Sequence, residues 1–314
     1  MSAIKLTNLL KNEDLIKIIN SIKKNNRIKI IELCLNNNEL SSIPNEIGDL
    51  IMLKKIDFQN NNLFYIPTEL GSLEKLQILY LNNNSLIEIP QEIGRLIKLE
   101  FLHLQFNQFS SLPSIIGELN NLKELNLSNN ELNSIPSELC QCMKLEKIYI
   151  NNNNLYAIPS EFGQLINLEI LSLSNNKIIN IPSEFGQLTK LKELNINNNL
   201  LKYIPSELGQ LIKLKIFDLS YNKLLELPCE LGQLTDLTFL YLSNNNLTTL
   251  PYDLKNALNL EEIDIQNNDL INLNSKSILK MTNLKKFKIS YDEFITVRDD
   301  LEQISETNIL EIIT

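Results

Sequence analysis

The residues with the greatest capacity for chemistry in this sequence are one histidine and a closely spaced pair of cysteines. His103 is the only histidine of the chain, so it lacks the companions that a metal site or a catalytic triad requires. Cys140 and Cys142 are separated by one residue, a spacing that could serve metal binding or redox chemistry. Both cysteines, however, occupy positions where related stretches of the sequence carry glycine and leucine, which favours buried structural thiols. We therefore predict no catalytic residue, no metal and no cofactor, and we expect that the chain is not an enzyme.

These residues belong to a repeat that runs through most of the chain. A block approximating L-x-x-L-x-L-x-x-N-x-L-x-x-[IL]-P recurs at a spacing of 23 residues in ten of eleven intervals and 24 in the last. It begins at residues 30, 53, 76, 99, 122, 145, 168, 191, 214, 237, 260 and 284. All ten prolines fall at one position of the repeat, and all eight glycines fall four residues after a proline. The sequence therefore predicts about twelve stacked repeats, each of which buries its leucines against its neighbours.

Each repeat carries the pattern of one short strand and one turn. The alternation of Leu125 and Leu127 predicts a strand with one buried face, and stacking such strands yields a parallel sheet. Asparagine at the ninth position, such as Asn130, can satisfy loop backbone groups because its amide both donates and accepts hydrogen bonds. The stretch Pro-Ser-Glu-Leu-Gly predicts a short 3-10 turn on the convex side, where glycine would tolerate a left-handed exit. The predicted fold class is an α/β solenoid with a parallel concave sheet.

The two ends of such an array are expected to be capped. Residues 7–25 have the periodicity of an amphipathic helix. Its apolar side carries Leu9, Leu10, Leu15, Ile18, Ile19 and Ile22. We therefore divide the chain into an N-terminal helical cap (1–29), the repeat array (30–297) and a C-terminal cap or tail (298–314), where we expect a closing helix.

Composition and charge argue against several classes of protein. The net charge of −9 disfavours a nucleic-acid partner, since phosphate contacts need clustered lysine and arginine. The sequence has neither an apolar run long enough for a membrane span nor an N-terminal apolar stretch of signal-peptide length. The four cysteines are too few and too scattered for a secreted disulfide scaffold. We therefore expect a cytoplasmic protein.

The repeat consensus L-x-x-L-x-L-x-x-N-x-L-x-x-[IL]-P-x-E-[ILF]-G-x-L resembles that of the Ras-group intracellular leucine-rich-repeat proteins, and the resemblance covers about residues 30–289. That group includes Ras-pathway scaffold proteins, their plant relatives and the repeat domains of LAP-type polarity proteins. The resemblance implies a leucine-rich-repeat horseshoe. It also implies an intracellular scaffold that recruits a small GTPase, a phosphatase or a kinase through its concave face.

A protein partner would contact the variable positions within and beside each strand. Many repeats carry polar residues at the third and fifth positions, but two stretches carry aromatic and aliphatic residues, which are enriched at protein interfaces. Repeats three and four present Ile78, Tyr80, Phe101, His103 and Phe106. Repeats nine and ten present Ile216, Tyr221, Phe239 and Tyr241, and a weaker site between the two stretches has Tyr149 and Ile170. The alternative is that these side chains only pack against one another across neighbouring strands.

Two classes of function remain open from the sequence. The first is a non-catalytic scaffold that binds a protein partner, in small-GTPase or related signalling or as a host-directed effector. The second is a structural, self-assembling protein, because residues 1–29 carry seven basic and two acidic residues whereas residues 290–314 carry one basic and seven acidic ones. Attraction between such ends would weaken as salt is added. We favour the scaffold, and we expect a monomer.

Overall fold

The computed structural model describes residues 2–6, 11–24, 29–273, 278, 280–296 and 311–313. The chain divides into two compact units, Met1–Asn154 (unit 1) and Leu155–Thr314 (unit 2). Each unit contains a parallel sheet whose strands follow one another in chain order. The strands of unit 1 are β1 (Ser2–Lys5), β2 (Ile30–Cys34), β3 (Lys55–Asp57), β4 (Ile78–Tyr80), β5 (Phe101–His103), β6 (Glu124–Asn126) and β7 (Lys147–Tyr149). The strands of unit 2 are β8 (Ile170–Ser172), β9 (Glu193–Asn195), β10 (Ile216–Asp218), β11 (Phe239–Tyr241), β12 (Glu262–Asp264), β13 (Lys286–Lys288) and β14 (Glu311–Ile313).

The strands of each unit alternate with 3-10 helices of five residues, each of which begins directly after the proline of its repeat. In unit 1 these helices span Asn45–Asp49, Thr68–Ser72, Gln91–Arg95, Ser114–Glu118 and Ser137–Gln141. In unit 2 they span Ser160–Gln164, Ser183–Gln187, Ser206–Gln210, Cys229–Gln233 and Tyr252–Asn256. The proline carbonyl accepts the first hydrogen bond of the turn, as from Leu139 N to Pro136 O at 3.1 Å. The predicted fold class, with a parallel sheet and short 3-10 segments, is confirmed.

The N-terminal end of unit 1 carries helix α1 (Asn12–Lys24), whose Leu15, Ile19 and Ile22 are buried. It is the longer of the two α-helices whose bounds the structure gives, and no helix in the described part of the chain has the length and apolar character needed to cross a membrane. The sequence did not predict β1, which pairs with β2 and so covers backbone groups that an edge strand would expose. Leu9 and Leu10 of the predicted cap lie outside the described residues.

The C-terminal end of unit 2 differs from the prediction. Helix α2 (Tyr291–Thr296) follows β13, and β14 (Glu311–Ile313) pairs with β13 in parallel. The closing helix expected over 298–314 is therefore wrong at 311–313, because the chain there completes the hydrogen bonds of the β13 edge instead. The other residues of that stretch lie outside the described ones.

The asparagines at the ninth position form a hydrogen-bonded ladder along each unit. Asn130 Nδ2 donates to Leu127 O at 2.9 Å in its own repeat and to Leu104 O at 3.1 Å in the preceding repeat. Its Oδ1 accepts from Phe109 N at 3.1 Å. The same three kinds of contact recur in unit 2, for example at Asn222. The predicted role of these asparagines, to satisfy buried loop backbone, is confirmed.

The glycines do not have the role expected from the sequence. None of the eight has a positive φ, so none forms a left-handed exit. They lie instead where successive 3-10 helices approach each other closely. A Cβ added to Gly163 would lie 2.4 Å from Glu184 O, and one added to Gly232 would lie 2.1 Å from Asp253 O. Glycine recurs at this position because the next repeat leaves no room for a Cβ atom, and not because the backbone has a positive φ.

Candidate partner-binding surface

In unit 1, the third and fifth positions of adjacent strands form two rows of side chains on one face of the sheet. Ile78 pairs with Phe101 in the first row, and Tyr80 pairs with His103 in the second. The rings of Tyr80 and His103 stack with their centroids 4.7 Å apart, so packing across neighbouring strands does occur here. All four side chains nevertheless remain partly exposed. Together with Phe106, three residues after His103, we call them the unit 1 patch.

Charged groups border the unit 1 patch on both sides. Lys55 Nζ lies 5.4 Å from the centroid of the Tyr80 ring, a distance at which a cation is attracted to the ring face. On the opposite side, His103 Nε2 lies 2.9 Å from Glu124 Oε1, and Lys147 Nζ lies 3.7 Å from Glu124 Oε2. The contact with Glu124 fixes the imidazole in its stacked position. His103 is therefore held in the surface row of the sheet beside Tyr80.

In unit 2, the same two rows contain Ile216, Phe239 and Tyr241, which together with Tyr221 we call the unit 2 patch. Ile216 pairs with Phe239 across β10 and β11. The ring centroids of Phe239 and Tyr241, on one strand, are 6.4 Å apart. Burial raises the pKa of the Tyr241 hydroxyl, and the Glu262 carboxylate raises it further. Tyr241 thus presents a neutral, partly buried ring near neutral pH.

The two residues of the weaker predicted site belong to different units. Tyr149 lies on β7 in unit 1, in register with Asn126. Ile170 lies on β8 in unit 2, in register with Glu193. Both side chains are partly exposed. Within its own unit, each of them has a polar neighbour in the row.

Two residues of the patches adopt a backbone conformation that bulky side chains disfavour. At the eighth position of eleven repeats, φ lies between 51° and 58°, in the left-handed region that asparagine tolerates better than other residues with a side chain. Asparagine occupies the position in nine of these repeats, whereas Phe106 (φ 57°) and Tyr221 (φ 53°) occupy it in the other two. These aromatic side chains are 52% and 58% exposed. Neither burial nor backbone preference explains their presence.

A second set of exposed apolar residues was not predicted from the sequence. At the twelfth position of the repeat, Phe64 and Ile87 in unit 1 are 58% and 57% exposed, and Tyr156 and Ile179 in unit 2 are 54% and 50% exposed. Ile179 N donates to Tyr156 O at 3.3 Å, which places these two residues side by side. The sequence could have indicated these exposed residues. The twelfth position directly follows the buried consensus leucine and has no consensus residue of its own, so apolar residues there are not needed for the core.

Comparisons with known proteins identify the repeat. Residues 75–96 and 189–247 match families described as leucine rich repeat, and residues 90–200 match a leucine-rich repeat region. A leucine-rich-repeat protein of Leptospira interrogans is 33% identical in sequence, covers 99% of this chain and 82% of its own, and has a TM-score of 0.80. The chain belongs to the leucine-rich-repeat family.

Other leucine-rich-repeat structures are more distant. An internalin of Listeria monocytogenes is 22% identical, with 83% of this chain and 74% of its own covered and a TM-score of 0.74, and is alike in fold alone. The leucine-rich-repeat ectodomain of the receptor kinase GASSHO1/SCHENGEN3 of Arabidopsis thaliana, in complex with CASPARIAN STRIP INTEGRITY FACTOR 2, is 29% identical. The alignment covers 90% of this chain and 37% of the ectodomain chain, with a TM-score of 0.65. A sequence comparison with curated proteins finds no match. Membership of the narrower Ras group stays a prediction.

The leucine-rich-repeat core also accounts for the closely spaced cysteines. Cys140 and Cys142 are only 2% and 0% exposed. Cys142 Sγ lies 3.2 Å from Ile116 O, and burial raises its pKa to about 12. The thiolate that metal or redox chemistry needs is therefore disfavoured at this position. Their interpretation as buried structural thiols is confirmed by this burial.

Thiol labelling of this leucine-rich-repeat protein should distinguish Cys229 from the other cysteines. Cys229 is exposed, although a hydrogen bond to the Glu230 carboxylate raises its pKa, and the other three cysteines are buried. We expect one thiol to react rapidly with a disulfide reagent in the native protein, and all four to react after unfolding. Cys229→Ser should remove the rapid reaction. Rapid labelling that persists in this variant would contradict the burial of at least one of the other three cysteines, Cys34, Cys140 and Cys142.

Proposed function

We propose that this chain is a protein-interaction scaffold without catalytic activity, which binds a protein partner through the strand faces of its two units. The observation that carries the proposal is the placement of Phe106 and Tyr221, half exposed, in left-handed backbone. Such strain costs on the order of 1–3 kcal/mol per residue and concentrates at functional sites. Asparagine, as in nine other repeats, would avoid this cost. In our proposal, contact with the partner offsets it.

The chemistry of the two patches supports a protein as the partner. Tyr80, Phe101, Phe239 and Tyr241 keep aromatic surface partly exposed on strands that are already ordered. Rigid aromatic side chains bring a large contact area and lose little conformational freedom on binding. An open sheet face suits a protein surface, whereas small molecules prefer enclosed pockets.

Replacing Phe106 and Tyr221 with asparagine should separate binding from stability. We expect Phe106→Asn and Tyr221→Asn each to stabilise the fold by about 1 kcal/mol, since the strain of a bulky residue in the left-handed region is removed. At Tyr221, the new amide would lie between Asn198 and Asn244, both of which take part in side-chain hydrogen bonds at this position. The double variant should lose its partner in a quantitative pull-down from lysate of the source cells. Chemical denaturation measures the change in stability.

The reverse substitution, Asn60→Phe, is the matched control. It introduces an aromatic residue at the same repeat position and removes the hydrogen bond from Asn60 Nδ2 to Asn37 Oδ1 (2.9 Å). We expect it to destabilise the fold by about 1–2 kcal/mol without changing partner capture. Unchanged capture by the more stable Phe106→Asn, Tyr221→Asn variant would refute the proposal, because misfolding could not mask a loss of binding.

We also propose that the scaffold acts as a monomer in the cytoplasm, in small-GTPase or related signalling. The resemblance of the repeat consensus to the Ras group supports this setting, and so does the sparse, scattered use of cysteine. Proteins captured by the wild type but lost from the Phe106→Asn, Tyr221→Asn variant would identify the pathway. The presence of a small GTPase, phosphatase or kinase among them is the expected result, and their absence would contradict this part of the proposal.

A further inference from the structure

Three repeats carry an aspartate at the fifth position, where the side chain accepts a hydrogen bond that stabilises the turn after the strand. At Asp57, Asp218 and Asp264, Oδ1 accepts a hydrogen bond from the backbone N–H two residues later, at 3.2, 3.0 and 3.1 Å. Asn126 and Asn195 accept the same hydrogen bond, at 3.1 and 3.3 Å. An uncharged amide is therefore sufficient for this turn. The carboxylate of Asp218 also accepts hydrogen bonds from Asn197 Nδ2 at 2.8 Å and from Ser220 Oγ at 2.5 Å. These donors are uncharged, so none of these contacts neutralises the negative charge.

The surroundings of Asp264 oppose its ionisation. The residue is partly buried on β12, and burial raises the pKa of its carboxyl group, which means that the charged form is destabilised. The neighbouring Lys288 makes its ion pair with Glu262, with Nζ and Oε1 2.6 Å apart, and its positive charge also lowers the pKa of Asp264, against the larger effect of burial. Burial raises the pKa of Asp57 in unit 1 in the same way. Lys288 thus lies near two carboxylates, those of Glu262 and Asp264, so that a negative charge remains for a further cation to neutralise.

Unit 1 already contains the arrangement that receives such a cation. Asp57 and Tyr80 are neighbours across β3 and β4. Lys55, on the same strand as Asp57, places its Nζ 5.4 Å from the Tyr80 ring centroid. The positive charge of Lys55 also lowers the pKa of Asp57, against the larger effect of burial. An ammonium group is thus accommodated by a ring face and a nearby carboxylate.

Unit 2 repeats the carboxylate and the ring, but its lysine lies elsewhere: Lys288 is on β13, in register with Asp264. Asp218 and Tyr241 are neighbours across β10 and β11, and Asp264 lies on the other side of Tyr241 on β12. The position equivalent to Lys55 is Ile216. Within the described part of the chain, no lysine or arginine lies over the Tyr241 ring. Tyr241 is therefore flanked by two carboxylates and by an apolar residue in place of the lysine.

We infer that the unit 2 patch binds a lysine or arginine side chain of the protein partner over the Tyr241 ring, between Asp218 and Asp264. The inference rests on the proposed function and specifies the partner segment: a basic residue beside apolar residues that contact Ile216 and Phe239. Partly buried carboxylates attract such a cation more strongly than fully solvated ones do. An acidic segment would be repelled at the same place.

A library of random peptides displayed on phage and selected on the full chain tests this inference. The peptides recovered should be enriched in lysine and arginine. Their affinity should fall at least about tenfold for the double variant Asp218→Asn, Asp264→Asn. Both substitutions keep the backbone hydrogen bond, as Asn126 and Asn195 do. Since burial disfavours the ionised form of Asp264, thermal unfolding near neutral pH should find Asp264→Asn no less stable than the wild type, whereas Asp218→Asn also loses the acceptor of Asn197 Nδ2.

The matched control is Asp236→Asn, which removes a negative charge at an exposed turn of unit 2 and should bind the peptides as the wild type does. Peptides without a basic excess, or with equal affinity for the wild type and the double variant, would overturn the inference. If such peptides still lose affinity for Tyr221→Asn, the proposed function stands and only the basic partner is excluded. A selection that yields no peptide sensitive to either change counts against both.

Discussion

Replacing Asn130 with alanine should lower the free energy of unfolding by about 2–4 kcal/mol. The side chain satisfies three backbone groups: the N–H of Phe109 and the carbonyl oxygens of Leu104 and Leu127. Asn130 is only 8% exposed. Alanine would leave the N–H of Phe109 without its acceptor, whereas Leu104 O keeps the hydrogen bond from Asn107 Nδ2 (3.0 Å) and Leu127 O keeps the one from Asn153 Nδ2 (3.0 Å). The buried N–H left without a hydrogen bond costs about 1–3 kcal/mol, and each of the two hydrogen bonds lost at the carbonyl oxygens adds about 0.5 kcal/mol. Chemical denaturation measures the total change, and amide hydrogen exchange at Phe109 reports the lost acceptor directly.

Asn133→Ala is the control for this prediction. Asn133 lies three residues later and is exposed, so its replacement should change the stability by less than about 0.5 kcal/mol. Asn130→Asp should be as damaging as alanine, because the carboxylate keeps an acceptor for Phe109 but loses the donor and faces two carbonyl oxygens. An Asn130→Ala protein as stable as Asn133→Ala would show that the ladder is not a principal source of stability.

The second large effect is expected at the glycines that follow each proline. Gly232→Ala should destabilise the fold by about 3 kcal/mol, at the upper end of the range for overpacking. The added Cβ would lie 2.1 Å from Asp253 O and 2.6 Å from the carbonyl carbon of that residue. Those atoms belong to the backbone of the next 3-10 helix, Tyr252–Asn256, so relief requires the two helices to separate. The midpoint of thermal or chemical unfolding measures the effect.

Gly94→Ala provides a graded comparison. Here the nearest atom to an added Cβ is Ile115 Cγ1 at 2.4 Å, and the backbone oxygen of Ile115 is 3.2 Å away. The Ile115 side chain is partly exposed and can adopt another rotamer, so we expect only about 1 kcal/mol of destabilisation. Equal effects at Gly94 and Gly232 would contradict the explanation by backbone crowding.

The predictions for stability and for binding concern different positions of the repeat. Asn130 and Gly232 occupy consensus positions, and their contacts join one repeat to the next. Tyr221 breaks the asparagine pattern of the eighth position, and Asp264 lies at a position without a consensus. Substitutions at consensus positions should therefore change stability, and substitutions at variable positions should change partner binding. Experiments can measure the two effects separately.

The sequence by itself determined the repeat, its register and the two secondary structure elements in each period. Its regular spacing places each leucine, asparagine and proline in the same environment in every repeat, so that one interpretation of Leu125, Leu127 and Asn130 applied along the array. The residues of the unit 1 and unit 2 patches were predictable for the same reason. They depart from the polar pattern at variable positions, and a period of two residues places those positions on the face opposite the core.

Only the tertiary structure decided what depends on distances between repeats. Glycine is required because a side chain would collide with a backbone oxygen 21 residues later, as at Gly232 and Asp253. No local sequence pattern reveals that close approach. The pairing of β1 with β2 and the partial burial of Asp264 likewise depend on segments distant in the sequence. The left-handed backbone at Phe106 and Tyr221 was also unpredictable from those residues, since their own preferences oppose it. The stacked neighbours impose this conformation, because interactions between repeats outweigh the preference of one residue.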